Sequence, residues 1–570
     1  MIPLLGRFRF ARDTLMEFGP EFTYKGAASF LPHSRAARSA KTSDAPHPYR
    51  AASSMKRLLP VLLLGLLYLP ALGSSSSGTH PDESYYLGIS AEMDANGAWL
   101  TPTIDGQPKW FKPPLLYWAQ RAGYALFGRG FFAGRLPAAL SAVALALLTG
   151  ALARRMYGAD AGTLATLLVG TTFGWVKFGR IAMMDAPMAL AFTAAAYGAW
   201  RASEEGRPLQ LLWAGVGAGC AFLLKGPVGA VIVLLLAGGF LALRKPALLF
   251  SRYTVGAFAV GAAIGLPWYV VSLVVHGRRF YDFFVVEQNL DRFRHPWTLE
   301  GELTLFVGFL AFLAPWTLLV LGALPSPRRW REPKLLLPIV WMAAVLLVFT
   351  IPSLKWPHYG LGCAPAAALL ACRAAPPRWA RVGTAGILAA LAALGMAALR
   401  WPLPAAVAAS VALAALSFGT AAWLVFRERL VRGAACVGVG LLLLLAVAIP
   451  ALNPPVIPAP ALATLEGRDL YVQDYVPGIF TLGAGRPVHR VEGAAIERAL
   501  ERGGVVIFAA SSLQKMPASL RERLVPVAHW EHIPGYLPAG HIVTSWLTRD
   551  KALLFEPMLA MQLRDGTAAR

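Results

Sequence analysis

Residues 80–120 read HPDESYYLGISAEMDANGAWLTPTIDGQPKWFKPPLLYWAQ and separate two apolar parts of the chain. The stretch begins with two adjacent carboxylates, Asp82 and Glu83, and ends with Lys112 in front of two prolines. Charge and aromatic surface rarely gather in a short non-spanning segment of a membrane protein unless chemistry happens there. We therefore expect the rest of the chain to form a scaffold that brings further charges to this stretch.

The composition limits the class of protein. The chain has 570 residues, of which 56% are hydrophobic and 15% are charged, and these values indicate a polytopic membrane protein. The formal net charge of +22 does not indicate a nucleic-acid partner, because Lys and Arg collect on the cytoplasmic side of membrane proteins. The four cysteines all lie in apolar runs, which predicts no disulfide framework and no zinc site built on cysteine.

Apolar runs account for most of the chain after residue 54. Residues 1–54 are polar and without a usable period, and we interpret them as a disordered extension or a wrongly assigned start. The first apolar run covers 58–69 and follows basic residues, as at the start of a membrane protein. Twelve further runs are near the roughly 20 residues that a spanning helix needs. They cover about 131–153, 161–179, 183–200, 208–224, 227–243, 253–275, 303–323, 334–351, 357–372, 380–399, 403–426 and 433–450.

The loop charges support a count of about thirteen spans. Alternate loops carry Arg and Lys, as cytoplasmic loops do, and the register holds along the chain. The odd count places the C-terminus and the stretch 74–130 on the extracytoplasmic side. From residue 454 the composition predicts a small α/β domain, with strands near 470–472 and 505–508 and helices near 494–502 and 517–524. His529 to His532 resemble a metal cluster only superficially, and we expect a surface loop there.

The few strong charges that face outward all lie at the ends of spans. Each has an ordinary structural alternative: Asp82 and Asp185 fit helix N-caps, Lys225 fits a side chain reaching the headgroups, and Glu83 fits a solvated loop. Lys112 is harder to explain structurally, because prolines fix the backbone behind it. As a set, carboxylates opposite a cationic ring suit a sugar carried on polyprenyl phosphate. The departing phosphate needs positive charge, and an acceptor hydroxyl needs a carboxylate to take its proton.

An ordered series of short motifs resembles one known family. They are Pro81-Asp82-Glu83, Phe111-Lys112-Pro113-Pro114, Gly134-Arg135-Leu136-Pro137, Met184-Asp185-Ala186-Pro187, Lys225-Gly226-Pro227, Pro267-Trp268-Tyr269, Val286-Glu287 with Arg292-Phe293, and Lys355 with Tyr359. Over roughly 58–450 the chain resembles the GT-C glycosyltransferases of the protein-mannosyltransferase group, and most of all the bacterial lipid A aminoarabinose transferases.

The resemblance implies roles for the candidate residues. Asp82 would be the principal carboxylate, with Asp185 as a second and Glu83 beside them. The cations Lys112, Lys225 and Arg292, together with Tyr359, would hold the lipid-linked phosphate. Lys355, Glu287 and Tyr85 complete the substrate-binding set.

Three positions depart from the aminoarabinose enzymes. Tyr85 stands where they have Arg, Phe111 where they have Glu, and Gln288 where they have His. The last two positions help to bind a metal in that branch, so we expect no metal site and no other cofactor here, although a divalent ion bound elsewhere stays open.

The sequence thus predicts a polytopic α-helical membrane protein of GT-C type. Its membrane domain would cover 55–453, with extracytoplasmic loops at 74–130 and 276–302, followed by an extracytoplasmic α/β domain at 454–570. The expected activity is transfer of a sugar from a polyprenyl-phosphate donor to lipid A or another envelope glycolipid, in the bacterial inner membrane. Two alternatives stay open: a protein O-glycosyltransferase with the same donor, and a transporter or lipid flippase. A transporter should place ionisable groups near mid-span and show internal repeats, and we see neither.

Overall fold

The structure is a computed structural model that describes most of the chain after residue 53. The described residues are 54–75, 80–291, 298–324, 326–352, 355–473, 475–533, 544–545, 548 and 553–564. The interpretation of residues 1–54 as an extension therefore lies, except for Ser54, outside the described residues.

Apolar helices form the body of the molecule, which confirms the polytopic helical fold class. Eight described helices are long and apolar enough to cross a membrane. They are Phe131–Tyr157, Pro208–Lys225, Pro227–Arg244, Arg252–Leu290, Pro333–Thr350, Arg378–Ala398, Ala405–Phe426 and Leu430–Leu452. The first helix, Ser54–Tyr68, and the helix Asp185–Glu204 pack among them.

Three of the predicted spans are helical but broken. The run 161–179 forms two helices, Ala159–Gly170 and Phe173–Phe178, and the run 303–323 forms Leu299–Phe312 and Thr317–Gly322. The run 357–372 is a 3₁₀ turn, Pro357–Cys363, followed by Ala364–Ala371.

The first two breaks lie against each other. The Phe173 N–H donates to the Ala314 carbonyl at 2.8 Å, and the Trp316 indole N–H donates to the Thr171 hydroxyl at 3.1 Å. Irregular backbone at membrane depth needs such partners within the protein, because lipid offers none.

The stretch 80–120 folds into a helix, a small hairpin and a second helix. The loop helix Pro81–Ala95 begins after His80, whose ring Nδ1 accepts a hydrogen bond from the Asp82 N–H at 3.2 Å. Pro81 at the first helical position and acidic residues in the first turn are favourable at a helix N-terminus. The hairpin pairs β1 (Thr103–Ile104) with β2 (Gln107–Pro108), and the second helix is Leu115–Phe127.

The predicted second loop, 276–302, is partly helical. The helix Arg252–Leu290 continues through residues 276–290, with a kink at Gly277, where φ is +54°. Side chains on opposite faces of this helical extension therefore point in different directions.

A five-stranded sheet lies at the C-terminal end of the chain, after the last apolar helix. Its strands are β3 (Leu470–Val472), β4 (Val488–Arg490), β5 (Val505–Ala509), β6 (Leu524–His532) and β7 (Glu556–Leu563), in the spatial order β4-β3-β5-β7-β6. The first three strands pair in parallel, and β7 pairs antiparallel with β5 and β6. Short helices cover the connections: Ala459–Thr464, Gly478–Ala484, Ala494–Glu501, Ala510–Leu513 and Ala518–Arg521.

The expectation of a surface loop at 529–532 is wrong. These residues form the end of β6, and His532 is buried against Phe480 and Tyr475. Burial lowers the pKa of His532 to about 4, so its ring is neutral at pH 7. The buried positions at this end of β6 are Trp530 and His532, and the exposed polar residues His529 and Glu531 beside them favoured the loop interpretation.

Candidate active site

The loop helix presents Asp82 at its N-terminal turn. Asp82 is the second helical residue, and the position before the helix belongs to His80, so the cap assignment of the Asp82 side chain is wrong. The carboxylate of Asp82 instead lines a cavity of about 260 Å³. The positive end of the helix dipole stabilises an anion at this position.

His80 is held between aromatic rings beside the cavity. Its ring lies 5.2 Å from that of His358, 5.6 Å from Trp356 and 6.1 Å from Phe178, measured between centroids. This burial lowers the pKa of His80, although Asp82 acts in the opposite direction. A neutral ring is also what its accepting Nδ1 requires, and the proton then resides on Nε2.

A second carboxylate, Asp185, reaches the same cavity from the head of the helix Asp185–Glu204. It occupies the first helical position, after the N-cap residue Met184, and it lines the cavity. Asp185 Oδ1 lies 3.7 Å from Lys225 Nζ and 3.9 Å from His358 Nε2, and its side chain is buried. The Lys225 ammonium therefore pairs with a carboxylate inside the protein and does not simply reach toward the headgroups.

Lys225 owes its position to the break between two helices. It is the last residue of Pro208–Lys225, and Gly226 follows with φ +73°, a conformation that favours glycine. Pro227 then begins the next helix. Lys225 Nζ lies 4.2 Å from the centroid of the Tyr359 ring, in the range of a cation–π contact.

The segment before Lys112 is fixed against the helix Arg252–Leu290. Trp110 is buried there, with ring centroids 5.0 Å from His276 and 5.6 Å from Phe280. The Trp268 indole N–H donates to the Leu100 carbonyl at 2.8 Å. These contacts and the two following prolines hold the backbone that carries Lys112 into the cavity.

The cavity brings six of the predicted site residues together. Its lining residues, among them carboxylates, ammonium groups and aromatic rings, come from six separate parts of the sequence. The lining residues are Asp82, Tyr85, Tyr86, Phe111, Lys112, Met183, Met184, Asp185, Lys225, Gln288, Trp356, His358 and Tyr359.

Glu83 lies outside the cavity although it is the neighbour of Asp82. Its fully buried carboxylate is 2.7 Å from Nε of Arg135 and accepts a hydrogen bond from the Ala182 N–H at 2.8 Å. Arg135 also donates to the carbonyls of Leu72 and Ser74. Glu83 thus ties the loop helix to the helix Phe131–Tyr157 and to the segment before the helix Asp185–Glu204.

Three other candidates are not in the cavity lining, and one of them is not among the described residues. Lys355 is buried, and its Nζ lies 2.7 Å from Glu302 Oε1, an ion pair that the sequence did not suggest. Glu287 is exposed on the extension of the helix Arg252–Leu290. Arg292 falls in 292–297, outside the described residues, and its predicted role stays a prediction.

Several lining residues were missed as site residues. Gln288 lines the cavity where its neighbour Glu287 does not, because successive residues of a helix point in different directions. Tyr86 and Trp356 contribute side chains that lie next to predicted residues in the sequence, whereas His358 belongs with Lys355 and Tyr359 to the outward-facing residues at span ends. For Tyr86 and Trp356, proximity to Tyr85 and Tyr359 was the available signal, and it does not say which neighbour faces inward.

The lining does not fit the metal site of the aminoarabinose branch. Phe111 has no donor atom, and the neutral amide of Gln288 is a poor zinc ligand. Among the described residues, no three His, Cys, Asp or Glu side chains are grouped so that they could hold a metal ion.

Comparison with known proteins gives one family match. Residues 111–271 match the family described as dolichyl-phosphate-mannose-protein mannosyltransferase. This segment contains Phe111, Lys112, Asp185 and Lys225, four of the residues that line the cavity.

Two curated relatives cover about half of this chain. An uncharacterized protein of Aquifex aeolicus is 31% identical over 324 residues, which cover 55% of this chain and 63% of that protein. The undecaprenyl phosphate-alpha-4-amino-4-deoxy-L-arabinose arabinosyl transferase of Edwardsiella ictaluri is 33% identical over 307 residues, covering 51% of this chain and 54% of that protein. The match therefore spans less than two thirds of either relative.

The fold extends the likeness to most of the chain. The crystal structure of ArnT from Cupriavidus metallidurans bound to undecaprenyl phosphate has a TM-score of 0.69 and 20% identity, covering 90% of this chain and 98% of that one. At this level of identity the likeness concerns the fold. This chain thus has the fold of ArnT over most of its length, and its sequence is similar to the aminoarabinose transferases over about half of it.

Proposed function

We propose that this chain is an integral-membrane glycosyltransferase that transfers a sugar from a polyprenyl-phosphate donor to lipid A or another glycolipid of the cell envelope. The observation that carries the proposal is the cavity, which combines two carboxylates with two ammonium groups in a GT-C fold. Relatives named as undecaprenyl-phosphate arabinosyl transferases support this class of donor.

The roles of the lining residues follow from the chemistry of the transfer. The acceptor hydroxyl oxygen forms a bond to the anomeric carbon while the bond from that carbon to the phosphate oxygen breaks. The Asp82 carboxylate takes the hydroxyl proton, and the phosphate leaves with the bonding electrons. Lys112 and Lys225 stabilise its charge in a partly dehydrated site, and attack from the opposite face inverts the anomeric carbon.

Asp185 has a supporting role in this scheme. Its negative charge balances that of Lys225 at 3.7 Å and keeps the ammonium beside the cavity. Without such a partner, the ammonium would be unpaired in a partly dehydrated site or would turn toward solvent. Arg292, Lys355, Glu287 and Glu83 complete the predicted set, as second contacts to the donor or as supports of the site.

We place the protein in the bacterial inner membrane, with the cavity and the C-terminal sheet domain on the periplasmic side. Support comes from the basic loops at the opposite helix ends, such as Arg154 and Arg155 after the helix Phe131–Tyr157, because such loops stay cytoplasmic. On this side the lipid tail of the donor remains in the bilayer while the phosphate reaches Lys112.

A protein O-glycosyltransferase is the second candidate. The observation that favours it is the family match over 111–271, whose description names protein as the acceptor of the mannosyl group. Both candidates share the donor and the proton acceptor, and they differ only in what enters the acceptor side.

Mass spectrometry of cell-envelope glycolipids from cells with and without the gene tests the proposal. We expect lipid A or core species to lose a sugar mass in the deletion strain and regain it with the wild-type gene but not with an Asp82→Asn gene. An unchanged glycolipid profile together with loss of a sugar from secreted proteins would favour the second candidate. Unchanged profiles of both kinds would contradict the proposed glycosyl transfer.

A further inference from the structure

One of the two carboxylates in the cavity lining is already paired with a cation of the protein. Among the described residues that line the cavity, the carboxylates are Asp82 and Asp185 and the ammonium groups are Lys112 and Lys225. Asp185 already faces the Lys225 ammonium at 3.7 Å and the His358 ring at 3.9 Å. Its negative charge is therefore not available to a cationic substituent of a substrate.

The remaining carboxylate, Asp82, cannot serve such a substituent without cost. An ammonium group next to a carboxylate lowers the pKa of that carboxylate and weakens it as a base. In the proposed reaction Asp82 must accept the proton of the acceptor hydroxyl, so pairing with the donor sugar would slow the transfer.

The other walls of the cavity are neutral. Tyr85 and Phe111 lie edge to face at 5.3 Å between ring centroids, and Gln288 and Trp356 continue this surface. Such walls can pack against the apolar faces of a sugar ring and exchange hydrogen bonds with its hydroxyls. A buried ammonium group without a counterion would instead lose much of its hydration free energy.

Aromatic rings can also bind cations, but two of those in the lining already face cations of the protein. The Tyr359 ring lies 4.2 Å from Lys225 Nζ, and the Phe111 ring lies 6.0 Å from Lys109 Nζ. A cation from the substrate would meet the like charges of Lys112 and Lys225 in the same cavity. Like charges at close range in a partly dehydrated site repel one another strongly.

We infer that the donor carries a neutral sugar, a pentose or hexose with hydroxyl groups and no ammonium substituent. This inference rests on the proposed function and specifies its donor. It separates this chain from the relatives whose names state a 4-amino-4-deoxy-arabinose donor.

The test compares two donors that differ in one group. Purified protein receives undecaprenyl-phosphate arabinose or undecaprenyl-phosphate 4-amino-4-deoxy-arabinose, with lipid A as acceptor, and kcat/KM is measured for each. Since an unpaired charge is costly, we expect the hydroxyl donor to be preferred about tenfold or more at pH 7. Raising the pH until the donor amine loses its proton should bring the two kcat/KM values closer together, because the amino donor is then neutral. Titration of the enzyme affects both donors and cancels in the ratio of the two values.

Two variants make the result specific to the cavity. Gln288→Glu adds a carboxylate of nearly the same shape to the lining, and it should shift the ratio toward the amino donor. Asn96→Asp is the matched control, because it makes the same amide-to-carboxylate change at the exposed far end of the loop helix. The control should leave the ratio of the two donors unchanged.

The possible outcomes separate the inference from the proposed function. Equal or better use of the amino donor by the wild-type protein would overturn the inference and leave the glycosyl transfer intact. A shift of the ratio by Asn96→Asp as large as that by Gln288→Glu would also overturn it. Transfer from neither arabinose donor nor from undecaprenyl-phosphate hexoses would overturn the proposed function, and the inference with it.

Discussion

Two adjacent carboxylates, Asp82 and Glu83, have different surroundings in the same helical turn. Asp82 lines the cavity, whereas the Glu83 carboxylate is fully buried against Arg135 and the Ala182 N–H. About 100° of rotation per residue in a helix accounts for the separation. Substitution at the two positions should therefore affect different properties.

Asp82→Asn should reduce kcat by about 100-fold or more, because it removes the proposed general base. The melting temperature should change little, since the partly exposed side chain keeps its shape. Transfer assays on purified protein and thermal unfolding in detergent measure the two quantities. Asp94→Asn in the same helix is the control, because Asp94 pairs with Arg129 away from the cavity. Full activity of Asp82→Asn would remove it from the mechanism.

Glu83→Ala should instead destabilise the protein. The change leaves the Arg135 guanidinium buried without its carboxylate, a loss that typically costs about 3–5 kcal/mol. We expect a lower melting temperature and lower yield, with activity per folded molecule largely retained. A variant that folds normally but does not transfer sugar would contradict this and return Glu83 to the catalytic set.

The lining at Phe111 and Gln288 predicts activity without a divalent metal. Neither side chain offers the anionic or imidazole ligand that such an ion requires. Transfer by EDTA-treated protein should match that of untreated protein, and added magnesium, manganese or zinc should not raise it. Complete loss with EDTA and recovery with one of these metals would show that other side chains bind it.

At the scale of elements, the loop helix packs on the C-terminal domain. Its Gly88 faces Gly478, at the start of the helix Gly478–Ala484, and the Ser84 hydroxyl donates to the Val476 carbonyl at 2.8 Å. A Cβ atom at Gly478 would lie 1.9 Å from the Ser84 carbonyl oxygen. The backbone approach therefore determines where the helix places Asp82, two residues before Ser84.

Gly478→Ala should displace the loop helix and lower kcat more than it raises the KM of the donor. The reason is that misplacement of a catalytic group affects the transition state more than binding. Steady-state kinetics with varied donor concentration measure kcat and the KM of the donor separately. Gly483→Ala is the matched control, because it is in the same short helix and its Cβ would meet its nearest atom at 3.5 Å. Equal effects of both substitutions would argue against a positioning role.

At the scale of the whole molecule, a second contact joins the first loop to the sheet domain. The ring of His489 in the middle of β4 lies 3.2 Å from the Asp105 carboxylate at the turn of the hairpin. The Arg490 N–H donates to the same carboxylate at 3.4 Å, and Glu92 accepts from the backbone of Asp105 and Gly106. The hydrogen bond with Asp105 raises the pKa of His489.

This contact should stabilise the docked domain more at low pH. A group with a raised folded pKa contributes fully below its unfolded pKa of about 6.5 and loses the contribution as pH rises through the folded value. The effect is modest because the pair is partly exposed. The difference in melting temperature between wild type and His489→Gln should be largest near pH 5.5 and should shrink by pH 8.5. A difference that grows with pH would contradict the assignment.

The sequence by itself determined the class of fold and much of the candidate site. Apolar runs of spanning length require helices, because no other backbone form satisfies its own polar groups in lipid. The ends of these apolar runs can therefore be located in the sequence. Six of the predicted residues at or near such ends line the cavity. The charged residues among them are recognisable because charge is rare and costly near a membrane core.

Only the tertiary structure decided which neighbour faces the cavity. Glu83 pairs with Arg135, Lys355 pairs with Glu302, and Gln288 replaces Glu287 in the lining, because each orientation depends on partners far away in the sequence. Breaks within apolar runs were likewise hidden, since their backbone groups find partners only across the bundle, as Phe173 does at Ala314. Hydropathy records the cost of leaving water, whereas the direction of a side chain depends on the packing of the whole chain.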